Sequence, residues 1–147
     1  MAKDFKTGNM PELFAGTPPL EALRIICSEA ATEGTCEKVI MINDVRRAFF
    51  YAKALRPIWV ELPREDYDET DEHDDNVGLL EMSLYGTRDA ARNWSDTVEK
   101  HLKGIGFKQG KASGNIYYHL GRELSTLVHG DDYITVGSEE SANWLKK

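Results

Sequence analysis

Asp131 and Asp132 stand side by side within Leu127-Val128-His129-Gly130-Asp131-Asp132-Tyr133-Ile134, a stretch that reads as a tight turn between two strands. Adjacent carboxylates at a hairpin tip repel and raise one another's pKa. A divalent cation removes that cost. Asp44 closes the apolar run Val39-Ile40-Met41-Ile42-Asn43 and supplies a third carboxylate where an adjacent strand ends. Three carboxylates with open positions suit Mg²⁺, which prefers oxygen ligands and keeps waters or substrate phosphates. A site of this kind can hold two ions that clamp the attacking and leaving oxygens of a phosphoryl transfer. Gly-Asp-Asp is also ordinary turn composition, so these residues alone leave both readings open.

Carboxylates placed in this way need strands beneath them and helices to cover those strands. Thr17-Pro18-Pro19 resembles a helix entry, with Thr17 as N-cap and prolines in the first turn. Leu20, Leu23, Ile26, Cys27 and Ala30 or Ala31 follow at helical spacing, and Gly34 is a natural stop. The run Lys38 to Asp44 has the pattern of a strand buried on both faces. A second helix is expected from about Thr87 to Lys103, where Ala90, Ala91, Trp94, Val98 and Leu102 recur every three or four residues before Gly104 and Gly106. Ile116 to Leu120 and Leu124 to His129 predict a hairpin joined by Gly121-Arg122-Glu123, and Tyr133 to Val136 pairs back. Ser138 can cap a last helix carrying Glu139 and Glu140 in its first turn. Strand, helix, strand, strand, helix predicts an α+β fold, a split βαβ antiparallel sheet with helices on one face and its final strand lacking.

The chain has 147 residues, 41% hydrophobic and 29% charged, in the range of one globular domain or a piece of one. No apolar run approaches the roughly 20 residues of a membrane span, and Met1-Ala2-Lys3-Asp4 does not lead into a signal peptide. A soluble, intracellular protein without a membrane partner is expected. Cys27 and Cys36 have no second pair, so neither a zinc ribbon nor a disulfide framework follows. The net charge is −7, but eight acids lie between Glu65 and Asp75, and taking those eight unit charges from −7 leaves +1. Charge therefore neither supports nor excludes a polyanionic partner, and the acidic segment reads as a solvated loop.

Asp44-Val45-Arg46-Arg47-Ala48-Phe49-Phe50, Ser83-Leu84-Tyr85-Gly86 running on to Ala90-Ala91-Arg92-Asn93-Trp94, Gly106-Phe107, and Val128 to Gly137 occur in that order. Together they resemble the ordered motifs of the copia-type retrotransposon reverse transcriptases, from about Glu12 to the end. The resemblance implies a reverse-transcriptase palm, with residues 1–37 as the lead-in from the fingers and 38–147 as the palm core bearing an acidic loop at 64–76. It implies an RNA-directed DNA polymerase working by two-metal nucleotidyl transfer, with Asp44, Asp131 and Asp132 as the catalytic residues that hold two Mg²⁺ or Mn²⁺ ions. The implied partners are a primer-template of RNA or DNA, deoxynucleoside triphosphates and the rest of a retroelement polyprotein, in a cytoplasmic particle or the nucleus. Phe49 corresponds to the residue that closes the sugar pocket against a ribose 2′-OH. Tyr85 would stack on or position a base, Gly86 permit close backbone approach and Arg88 reach phosphate. Phe49 lies five positions after Asp44, so an ideal strand would put the two on opposite faces and the chain must turn after Asp44. Members of the family carry a fingers segment upstream and a thumb and ribonuclease H downstream. This chain is expected to be a piece cut at both ends and inactive by itself.

Two other readings stand beside this one. One is a catalytically inactive retroelement relic. The other is an acidic metal-binding or interaction module, although an EF-hand loop fails in both registers, with Asp71 and Val77, or Asn76 and Met82, at the positions that require Gly and Glu.

Overall fold

The computed structural model describes residues 15–32, 37–67 and 77–146. In chain order they form α1 (Leu20–Ala30), β1 (Val39–Asp44), a 3₁₀ turn (Ala48–Tyr51), β2 (Trp59–Glu61), β3 (Val77–Leu79), α2 (Ala90–Gly104), β4 (Lys108–Gln109), β5 (Ile116–His119), β6 (Leu124–His129), β7 (Asp132–Gly137) and α3 (Glu139–Leu145). Contacts divide the chain into one unit containing Arg47–Trp94 and another containing Phe14–Arg46 and Ser95–Lys147.

The second unit is built on a five-stranded antiparallel sheet in the order β1-β7-β6-β5-β4. β6 is its centre, buried at Leu124, Ser125, Thr126, Leu127 and Val128 and exposed only at His129. A strand buried on both sides needs cover on both. On one face Ala22 and Ile26 of α1 pack against Leu127 and Val136, with Leu23, Ile116 and Ile134 around them. The opposite face carries Tyr117, Thr126 and Thr135, paired across the strands, and the Thr126 and Thr135 hydroxyls hydrogen-bond to each other. There the Trp144 ring of α3 lies edge-on to His119 at 5.3 Å, and Gln109 joins Glu99 of α2 to the Tyr117 hydroxyl. The expected α+β antiparallel architecture is present, with its helices divided between the two faces rather than gathered on one.

Two further expectations change. Among the described residues β1 is an edge strand and not one buried on both faces: it pairs there only with β7, and Ile42 is 70% exposed. Its continuous apolar run resembles that of a central strand, but the position in the sheet is set by long-range pairing. Helix α1 begins at Leu20 with Pro19 as N-cap and no side-chain cap, so Thr17 does not serve. Pro19 pushes the preceding proline into extended backbone, which prevents the helix from starting at Pro18.

Other ends form as their residues dictate. Gly106 adopts φ +100°, its N–H donates to the Lys103 carbonyl, and Phe107 N–H donates to that of Leu102, the paired bonds of a Schellman stop. The Ser138 hydroxyl accepts from Ser141 N–H and caps α3, whose first turn carries Glu139 and Glu140.

In the first unit, β2 and β3 form a hairpin with Trp59 opposite Leu79 and Glu61 opposite Val77. Arg64–Asp66 form a 3₁₀ turn at the start of the expected acidic loop; residues 68–76 of that loop, the Gly34 stop and residues 1–14 lie outside the described residues. Among the described residues no helix is long and apolar enough to cross a membrane.

Candidate functional site

Asp131 and Asp132 stand where β6 turns into β7. His129 pairs with Asp132, leaving Gly130 and Asp131 as a two-residue loop. Gly130 takes φ +63° and Asp131 does not have positive φ, which meets the type II′ requirement of glycine at the first central position. On the other side of β7, Asp44 pairs with Asp132. Residues paired across antiparallel strands share a face, so His129, Asp132 and Asp44 form a row on the face that α1 covers further along. Val45 N–H donates to the Asp131 carbonyl at 2.9 Å and ties the turn to the end of β1. Beside the row a groove of about 370 Å³ is lined by Leu23, Ile42, Leu127 and Ile134, with His129 and Asp132 at its polar end. On the opposite face, burial pushes the Tyr133 hydroxyl above its ordinary pKa, with Tyr117 adding to the shift.

The donor chemistry of this row, oxygen from neighbouring carboxylates, suits a hard divalent ion. Asp44 and Asp132 occupy facing positions, and Asp131 is held in the turn next to them. Among the described residues, no three His, Cys, Asp or Glu side chains are gathered into a ready cage for an ion.

Phe49, Tyr85, Gly86 and Arg88 all belong to the first unit. The chain leaves extended backbone after Asp44, as the Phe49 assignment requires. Arg47 adopts the left-handed φ of 59°, and Ala48–Tyr51 wind into the 3₁₀ turn. Ala48 and Ala52 are fully buried and anchor that turn. Phe49 stacks on Tyr85 with ring centroids 4.3 Å apart and planes 26° from parallel. Phe50 meets the same tyrosine edge-on at 5.9 Å. Gly86 follows with φ +97°, a conformation that disfavours a side chain. Arg88 is half-buried in the loop leading to α2.

The family model described as reverse transcriptase (RNA-dependent DNA polymerase) matches residues 3–145. The chain belongs to the reverse transcriptase family. No solved structure matches it. The carboxylate row and the aromatic pair of this reverse transcriptase chain both lie within the matched residues.

The reverse transcriptase chain also contains a supporting network that its motifs did not reveal. Asp89 is buried, with its carboxylate 3.2 Å from the Arg56 guanidinium, and it accepts from Asn93 Nδ2. Asn93 Nδ2 also donates to the buried Ser83 hydroxyl. The available sequence signal was Asp89 followed four residues later by Asn93 at a helix entry, a spacing that puts the two side chains together. Arg56 carried no such signal.

Proposed function

We propose that this chain forms the catalytic palm segment of an RNA-directed DNA polymerase from a copia-type retroelement polyprotein, extending a primed RNA or DNA template with deoxynucleoside triphosphates. The observation that carries the reading is the β1–β7 register that sets Asp44 opposite Asp132 beside the Gly130-Asp131 turn, in a chain of the reverse transcriptase family. Asp44, Asp131 and Asp132 would hold Mg²⁺ or Mn²⁺. Such ions, when bound, stabilise the charge on the attacking and leaving oxygens of phosphoryl transfer. The chain's own contribution is position. β6 is buried on both faces and resists displacement, while the Val45 to Asp131 hydrogen bond fixes the turn. Phe49 would wall the sugar, Tyr85 and Gly86 border the incoming nucleotide, and Arg88 reach its phosphates. The product would work in a cytoplasmic particle or the nucleus.

The test combines metal binding with synthesis. Mn²⁺ added to the chain is expected to broaden the amide resonances of Asp131 and Asp132 in the wild type and to do so much less after Asp131→Asn. Primer extension on an RNA template, with the chain in its parent reading frame, is expected to be lost in Asp44→Asn and Asp131→Asn. Unchanged broadening, or synthesis that survives either substitution, overturns the reading.

A further inference from the structure

We propose that Tyr85 is a positioning residue for sugar selection, setting where the Phe49 ring stands rather than stacking on a base with the face that Phe49 covers. The proposal rests on the polymerase reading of Phe49 given above. Tyr85 meets two rings, Phe49 stacked on its face and Phe50 in a T-shaped contact. A stacked phenol limits the sideways travel of its partner, since offset rings interdigitate at van der Waals distance and neither can slide without losing contact.

The supports of both rings are tied together. Ser83 N–H donates to the Ala52 carbonyl at 2.7 Å and Ala54 N–H to that of Glu81 at 3.0 Å. Lys53 and Met82 form an isolated antiparallel bridge. These bonds join the end of the Phe49 turn to the segment that leads into Tyr85. Beyond Tyr85, the Thr87 hydroxyl donates to the Leu84 carbonyl at 2.8 Å, and Asn93 holds the Ser83 hydroxyl from α2. Tyr85 therefore stands on a braced loop, against a 3₁₀ turn braced to that loop. A wall that discriminates a hydroxyl from a hydrogen must hold its position to within a fraction of the size of that group. The stack supplies this stiffness where Phe49 is only half-buried.

The test titrates the chain in its parent reading frame with dATP and with ATP in Mg²⁺ and follows nucleotide binding by calorimetry. The wild type is expected to prefer dATP. Tyr85→Leu, which removes the ring, is expected to reduce that preference about tenfold, mainly through tighter ATP binding. Tyr85→Phe, which keeps the ring, is expected to retain it within about twofold. Because Tyr85 acts through Phe49, Tyr85→Leu should change the preference little in a Phe49→Ala background. Should Tyr85→Leu fail to fold, Tyr85→Met, whose flexible chain fills similar space, takes its place. A wild type that does not bind dATP overturns the polymerase reading and this proposal with it. dATP binding without a sugar preference leaves that reading standing and overturns the proposal. An unchanged preference in Tyr85→Leu, or an equal effect in the Phe49→Ala background, also overturns it.

Discussion

The pairing of Asp44 with Asp132 makes a stability prediction that does not depend on catalysis. Both residues are exposed, and their register sets them directly opposite each other on one face. Side chains so placed have Cβ atoms about 5 Å apart, and two unit charges at that distance in a water-like dielectric repel by about 0.8 kcal/mol. Asparagine keeps the shape and removes one charge. Asp44→Asn is therefore expected to stabilise the metal-free chain by about 0.5 to 0.8 kcal/mol at low salt. That corresponds to a rise in Tm of about 1 to 3 °C for a chain of this size. Differential scanning calorimetry at about 0.01 M ionic strength, where the Debye length is about 30 Å, should show the gain; at about 1 M, where it is about 3 Å, the gain should nearly vanish. Mg²⁺ should reverse the ranking, because an ion at tenfold its Kd stabilises the wild type by about 1.4 kcal/mol and the variant by less. A lower Tm for Asp44→Asn at low salt, or a gain that persists at high salt, would refute the electrostatic account of this pair.

Three further outcomes follow from particular contacts. Asp89→Ala removes the buried carboxylate that stands beside the Arg56 guanidinium and accepts from Asn93; a loss of about 3 kcal/mol is expected from urea unfolding, with Asp89→Asn costing less. Gly106→Ala puts a side chain at φ +100° with its Cβ 2.9 Å from His119 Nε2, and His119 is held between Phe107 and Trp144. This should cost about 1 to 2 kcal/mol by the same measurement. Burial raises Tyr133 above its ordinary pKa of 10.0, and burial with nearby Glu99 raises Tyr117 likewise. A raised folded pKa favours folding fully below the unfolded value and progressively less above it, so stability should fall as pH rises past about 10 by about 1.4 kcal/mol per unit for each group. Tyr133→Phe should remove one group's share of that slope, and an unchanged slope would exclude Tyr133 from it.

Periodicity made α1, α2 and the long strands legible, because an amphipathic stripe must face a core whatever covers it, and the Ser138 cap marked α3. The strands β2, β3 and β4 were not legible, since two or three residues carry no measurable period. The apolar run of β1 suggested burial on both faces, whereas β6, whose Ser125 and Thr126 interrupt its apolar pattern, occupies the centre. Local composition ranked the two strands in the wrong order. The Thr126 and Thr135 hydroxyls satisfy each other across the strands, which allows polar side chains in the interior.

The candidate site divides along the same line. By itself the sequence determined the Gly130-Asp131 turn, the Gly106 stop, the Ser138 cap and the order of the motifs. Each of these depends on the conformational preferences or hydrogen-bonding reach of residues a few positions apart. Tertiary structure alone decided that β1 lies at the edge, that Asp44 faces Asp132, and that Tyr85 spends one ring face on Phe49. Each of those relations joins residues far apart along the chain. Backbone preference states how a segment is shaped but not which distant segment it meets, and that choice is made only when the sheet and its cover bury their apolar surfaces together.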